Sequence, residues 1–227
     1  MFASRSQPET RQDVFVAEFF REKRGGYFVD VGAYDGVHFS NTCQLERELG
    51  WLGVCVEPLP RAFATLKAQR SCTCVNVAAY SDGDLERDFA TAEVLSGIVR
   101  HIDRHEEALA GNRITVRTET LAAILDVACA PEWIDYLSID TEGSELEVLK
   151  GIAWDRHTFG LISIEHNFIE PRRTSMRRFL AERGYLHLRE NCWDDDFVHA
   201  SLYREGRDGD PAARVDDGSP LNRPTSS

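Results

Sequence analysis

Two apolar runs, each ending in polar punctuation, constrain this chain more than any other feature. Tyr27-Phe28-Val29-Asp30-Val31 breaks into the turn Gly32-Ala33-Tyr34-Asp35-Gly36. Glycine has no side chain to block approach and tolerates unusual dihedrals, so a turn of this kind after a buried strand lets a ligand press against backbone. About twenty residues further on, the distance at which a carboxylate reaches ribose hydroxyls in a βαβ nucleotide fold, Leu52-Gly53-Val54-Cys55-Val56 ends in Glu57 and Pro58. Proline gives no backbone N–H and stops the strand. The two segments together predict a nucleoside site at the carboxyl ends of neighbouring strands.

Charge selects among nucleosides. The dinucleotide fingerprint G-x-G-x-x-G brings bare backbone and a helix N-terminus to a pyrophosphate. Here Tyr34 stands in place of the second glycine, and Asp30 and Asp35 would face the phosphates as like charges. A cationic ligand suits the turn better. S-adenosylmethionine combines a ribose diol, a sulfonium and an ammonium with no phosphate, and carboxylates are natural partners for all three.

With 227 residues, 42% hydrophobic and 28% charged, the chain suffices for one sizeable core. Residues 1 to 203 read as a single domain; residues 204 to 227, almost without apolar side chains, read as a disordered tail. Twenty-six basic against 38 acidic residues leave a net charge of −12. That balance argues against nucleic acid as a partner, because phosphate-backbone binding leans on Lys and Arg. Cys43, Cys55, Cys72, Cys74, Cys129 and Cys192 form no C-x-x-C pair and read as reduced core residues. Residues 1 to 13 are polar, and Val14-Phe15-Val16 with Phe19-Phe20 is too short to span a bilayer, so a cytoplasmic protein without a membrane partner is expected.

Strand-like and helix-like patterns alternate, the sign of a mostly parallel sheet covered on both faces. The expected elements are a helix over 11–23, a strand over 27–32, a helix opened by Asn41 with Gln44 and stopped by Gly50, and a strand ending at Glu57. A helix near 60–70 and a third strand over 72–78 follow. Residues 79–118 are less regular, with strands at 85–91 and 113–118 and a loop or helix over 95–111, and read as a substrate-facing insert. A fourth strand over 134–140, a helix with the capping-box pair Ser144 and Glu147, a fifth strand over 161–165, a helix over 173–183 and strands at 185–189 and 197–203 complete the domain.

Successive strands therefore end in polar groups: Asp30 with Asp35, Glu57, Asp140 with Glu142, and Glu165 with His166. All would line the sheet edge where open α/β folds bind ligands. At this point the chain resembles the FkbM-type methyltransferases, which use S-adenosylmethionine. The resemblance runs over residues 27 to 190. It rests on Phe28 to Gly36, Ser40-Asn41-Thr42 with Leu45-Glu46, and Gly50-Trp51-Leu52-Gly53 with Glu57-Pro58, then on Asp140-Thr141-Glu142-Gly143-Ser144-Glu145 with Leu149-Lys150-Gly151, and Ile164-Glu165-His166-Asn167. It implies a class I methyltransferase Rossmann-like α/β fold, a seven-stranded mostly parallel sheet with helices on both faces. It also implies methyl transfer to an oxygen of a sugar, polyketide or other small hydroxylated metabolite.

Carried onto this chain, the resemblance sets Gly32, Ala33 and Asp35 against the methionine half of the cofactor, with Asp30 orienting the loop or reaching the ammonium. Glu57 holds the ribose diol and Ala78 lies beside the adenine. Ser40 and Asn41 either contact the methionine carboxylate or cap the following helix. Asp140, Glu142 and His166 are the catalytic candidates for removing the acceptor proton, with Glu165 and Asn167 beside the acceptor. The carboxylates are also a donor set that Mg²⁺ takes, although no spacing here is diagnostic of a metal. Two other classes share part of the pattern. A nicotinamide-dependent oxidoreductase would need the glycine that Tyr34 replaces, and a catalytically silent cofactor-binding module would dispense with Asp140, Glu142 and His166.

Overall fold

A computed structural model describes residues 4–91, 97–98 and 112–203. The main sheet has seven strands: β1 (Tyr27–Val31), β2 (Leu52–Val56), β3 (Thr73–Val75), β8 (Trp133–Ile139), β9 (Thr158–Glu165), β10 (Tyr185–Asn191) and β11 (Asp194–His199). Their order is β10-β11-β9-β8-β1-β2-β3. Strands β3, β2, β1, β8 and β9 run parallel, and β11 enters antiparallel to both β9 and β10. This is the mostly parallel seven-stranded α/β sheet expected of the class I methyltransferase fold.

The strands are apolar on both faces because both faces are covered. Along β1 and β2, Val29, Val31, Val54 and Val56 point into one core, where α4 (Leu121–Val127), α5 (Glu145–Lys150) and α6 (Arg172–Ala181) contribute Ile124, Leu125, Val148, Leu149, Met176 and Leu180. Phe28 and Cys55 point into the other, against Val16 and Phe19 of α1 (Gln12–Phe19), Leu45 and Leu49 of α2 (Cys43–Leu49), and Leu66 of α3 (Pro60–Gln69). Alternation along each strand thus builds three layers. No helix among the described residues is long and apolar enough to cross a membrane.

Several boundaries depart from expectation. The stretch over 72–78 is two strands in different sheets: β3 closes the main sheet, while β4 (Ala78–Tyr80) joins a second sheet of order β4-β7-β5-β6. In that sheet β5 (Glu86–Thr91) and β7 (Asn112–Thr120) pair antiparallel, and β6 (Gly97–Ile98) flanks β5. The irregular insert is therefore ordered β-structure over its described parts; the rest of the loop or helix expected over 95–111, and the tail over 204–227, lie outside the described residues. The last strand begins at Asp194, not at Phe197, because ion pairs offset the poor strand propensity of Asp194-Asp195-Asp196. Arg173 and Arg177 of α6 bind Asp195, and Arg189 of β10 binds Asp196. Of the cysteines expected in the core, only Cys43 and Cys55 are buried; Cys72 and Cys74 are half-buried and Cys129 and Cys192 exposed.

The turn after β1 shows why Gly32 is glycine. Its φ is +91°, and a Cβ there would lie 1.7 Å from the carbonyl oxygen of Asp140, at the end of β8. The backbones of the two central strand ends thus touch, and the ladder continues past them through Asp140 N–H to Val31 O at 2.9 Å. Gly32→Ala should destabilise the domain by about 3 kcal/mol or more, since neither backbone can withdraw and φ is unfavourable for alanine; urea unfolding would measure it.

Candidate active site at the strand ends

A cavity of ≈ 280 Å³ opens over the carboxyl ends of β1, β2, β8 and β9. Each strand end delivers a side chain to it: Asp30, Glu57, Asp140 and Glu165, joined by Glu142. Gly32, Ala33, Ser40, Asn41, Ala78 and Asn167 also line it, so eleven of the thirteen residues singled out from the sequence are brought to one place. Asp35 and His166 are not among them.

The loop after β1 is held from beneath by Arg70, a wholly buried side chain at the end of α3. Its guanidinium donates to Gly36 O at 3.1 Å, to Ser40 Oγ at 3.3 Å and to Thr42 Oγ1 at 2.9 Å, and pairs with Glu46. Thr42 Oγ1 in turn donates to Asp30 Oδ2 at 2.6 Å. Burial raises the Asp30 pKa, while Thr42 and the charge of Arg70 lower it. Nothing in the sequence pattern marked Arg70, because its role depends on α3 packing under a loop some thirty residues away.

Ser40 takes the capping alternative: its Oγ accepts from Thr42 N–H and Cys43 N–H, the entry to α2. Asn41 does not cap; its amide donates to Ser138 Oγ at 3.0 Å and ties the loop to β8. Asp35 turns inward on its own loop, accepting from the backbone of Val37 (2.9 Å) and His38 (2.8 Å) and meeting His38 Nδ1 at 2.5 Å. Burial works against its charge, yet the hydrogen bonds from His38 and Val37 hold its carboxyl below the usual range. His38, which no sequence signal marked, lines the cavity where Asp35 does not.

Glu57 is buried, and its two oxygens accept from Leu59 N–H (2.7 Å) and Tyr34 N–H (2.8 Å). These contacts fix the carboxylate at the lip of β2 with lone pairs still facing the cavity. Burial pushes its pKa up to about 7 against the lowering effect of the two amides. Beside it, Leu59, Val77, Ala78 and Ala79, with Phe89 and Ile98 from the second sheet, form an apolar wall.

Asp140, Glu142 and Glu165 bring carboxylate oxygens within 4.8 Å of one another. Asp140 is exposed, but to the cavity, and protein atoms crowd it on all sides. That crowding, then the charges of Glu145 and Asp30, push its pKa up to about 7. Burial and the charge of Asp140 push Glu142 up to about 8. Glu165 is raised well above the usual range by burial and by the same neighbours. The neighbouring Glu165 carboxyl works the other way on Asp140, lowering its pKa, and Glu165 Oε2 is buried with no hydrogen-bond partner among the described residues. Three acids that cannot all ionise cheaply form a proton-holding group, and the all-oxygen set is also of the kind Mg²⁺ accepts.

The helix start beside them is not a capping box. Ser144 makes no side-chain cap; Glu145 Oε1 instead accepts from Thr141 N–H (3.2 Å), Thr141 Oγ1 (3.2 Å) and Gly143 N–H (2.7 Å). Thr141 and Glu142 are thereby held at the cavity wall. His166 must be withdrawn as a candidate base within the cavity. It is fully buried, its Nδ1 accepts Phe168 N–H at 2.9 Å, and its Nε2 lies 3.6 Å from Asp195, inside the arginine network of α6. Burial lowers its pKa and keeps the ring neutral. His166, Glu190 and Asp195 could also gather round a cation, but Arg173 and Arg177 already pair with Asp195.

Among families of known proteins, the methyltransferase FkbM domain matches residues 30–186, well over half of the chain. No curated protein sequence matches it. Similar solved structures include methyltransferase FkbM from Methylobacillus flagellatus KT, at 14% identity and a TM-score of 0.49 over 85% of this chain and 55% of that one. A precorrin-6y C5,15-methyltransferase from Geobacter metallireducens GS-15 shares 12% identity with a TM-score of 0.48 over 87% and 91%.

Replacing Arg70 would leave Glu46 and Asp30 without their buried cation. Arg70→Met should cost about 3–5 kcal/mol of stability, the range for breaking a buried pair from one side, read by chemical denaturation.

Proposed function

The chain belongs to the FkbM family of methyltransferases and is thus an S-adenosylmethionine-dependent methyltransferase; we propose that it methylates a hydroxyl oxygen of a small metabolite such as a sugar or polyketide. The observation that carries the oxygen acceptor is the trio Asp140, Glu142 and Glu165, whose proton affinities are raised into or above the neutral range. A hydroxyl must lose its proton as it is methylated, whereas a neutral amine can react first and shed the proton afterwards. Carboxylates poised near neutrality are what the hydroxyl requires.

The residues present fit the cofactor. Glu57 accepts hydrogen bonds from the ribose diol, Ala78 with Leu59 and Val77 forms the apolar seat for adenine, and Gly32 and Ala33 leave room for the methionine half. Five carboxylates and no Lys or Arg among the described lining residues suit a ligand with sulfonium and ammonium charges. Once bound, the cofactor supplies an electrophilic methyl group, and most of the catalysis then lies in holding the acceptor oxygen in line with it. Asp140 takes up the acceptor's proton, and Glu165 and Glu142 share it. Glu165 and Asn167 orient the acceptor.

Incubating the full chain with methyl-labelled S-adenosylmethionine and a panel of hydroxylated metabolites tests the reading; label recovered on nitrogen or carbon would overturn the oxygen acceptor. Glu57→Ala should weaken cofactor binding by about ten- to a hundredfold, the worth of a hydrogen bond to a charged group, as calorimetry would show. The rate should rise with pH through the range set by Asp140 and Glu142, at about 7 and about 8. Below those values the acids hold protons and cannot accept another; above them they are ionised. Asp140→Asn should flatten that rise and lower turnover more than cofactor affinity.

A further inference from the structure

The cofactor's amino-acid tail ends in a carboxylate, and the cavity is a hostile place for one. Asp30, Glu57, Asp140, Glu142 and Glu165 line it, and the described lining residues include neither lysine nor arginine. An anion entering it meets repulsion from whichever of these acids are ionised, with no lysine or arginine to offset it, unless another cation or strong donor receives it. The two loop residues expected to do so are engaged elsewhere. Both backbone donors at the start of α2, and Arg70, converge on Ser40 Oγ, while the Asn41 amide is turned to Ser138.

His38 precedes them on the same loop and is the one described lining side chain that can carry positive charge. Its ring is aimed. Nδ1 meets Asp35 Oδ2 at 2.5 Å, and the other Asp35 oxygen is pinned by the amides of Val37 and His38. With Nδ1–H given to Asp35, Nε2 offers a second N–H to a ligand in the imidazolium form, which is also the form whose charge suits an anion. The ring stands at the rim, its side chain 75% exposed, where an anion can be held away from the five acids.

We propose that His38, oriented by Asp35, binds the carboxylate of the cofactor's amino-acid tail at the cavity rim. The inference rests on the cofactor reading above and adds to it the group that grips the anionic end. Asp35 is then a positioning residue: it sets the ring and makes no contact with the ligand.

The test compares two ligands on the full-length chain by calorimetry. S-adenosylhomocysteine carries the amino-acid tail; 5′-methylthioadenosine keeps the nucleoside and the sulfur but lacks the tail. His38→Ala should weaken S-adenosylhomocysteine by about tenfold, as loss of a charge-assisted contact would, and leave methylthioadenosine unchanged. A side chain this exposed can be truncated without unfolding the domain, which the melting temperature checks. Unchanged S-adenosylhomocysteine affinity, or equal weakening of both ligands, would overturn the proposal. A wild-type chain that binds neither ligand would instead overturn the cofactor reading beneath it, so the two failures are distinct.

Discussion

The close approach of two backbones at Gly32 underlies everything at the rim of the sheet. With no Cβ at that position, the turn after β1 can lie against the carbonyl of Asp140 at the end of β8. The two central strands therefore finish at the same height, and their carboxylates emerge into one space. Glu57 joins them because β2 runs parallel to β1 in register from Tyr27–Leu52 to Val31–Val56, and Glu165 because β9 does the same beside β8. Parallel pairing with matched ends turns four separated sequence positions into one acidic wall.

The protein buries acids in two contrasting ways, and the contrast marks the site. On β11, Asp195 is countered by Arg173 and Arg177 of α6, and its carboxyl is held far below the usual range despite its burial. In the cavity, Asp140, Glu142 and Glu165 crowd together, and their proton affinities rise. The first arrangement stabilises a strand that its own sequence would not favour. The second stores protons at a cost in stability, the usual sign that a group serves binding or chemistry.

Much of the site was legible because it sits at strand ends, where an apolar run makes the last residue easy to place. Glu57, Asp140 and Glu165 follow from that rule, and Asp30 sits one residue before the end of β1. Side chains one or two residues further along a loop did not. Asp35 folds back on His38, and His166 turns away toward Asp195, because loop dihedrals decide direction and strand periodicity no longer applies. Ser144 resembled a capping residue by spacing, but Glu145 reaches the loop amides first. The strand over 72–78 looked continuous since alternation persists through it, whereas the chain changes sheets between Val75 and Ala78.

The sequence by itself determined the class of fold and the family, since apolar runs, glycine turns and terminal acids are local and survive reading one segment at a time. It also determined that the ligand side of the sheet would be acidic. Only the tertiary structure decided which of those acids crowd one another, that Arg70 supports the loop from α3, that the aspartates of β11 are strand residues, and that His38 stands on the cavity in place of Asp35. Each of these depends on groups brought together from distant segments, where burial and neighbouring charge set the energy, and no single segment carries that information.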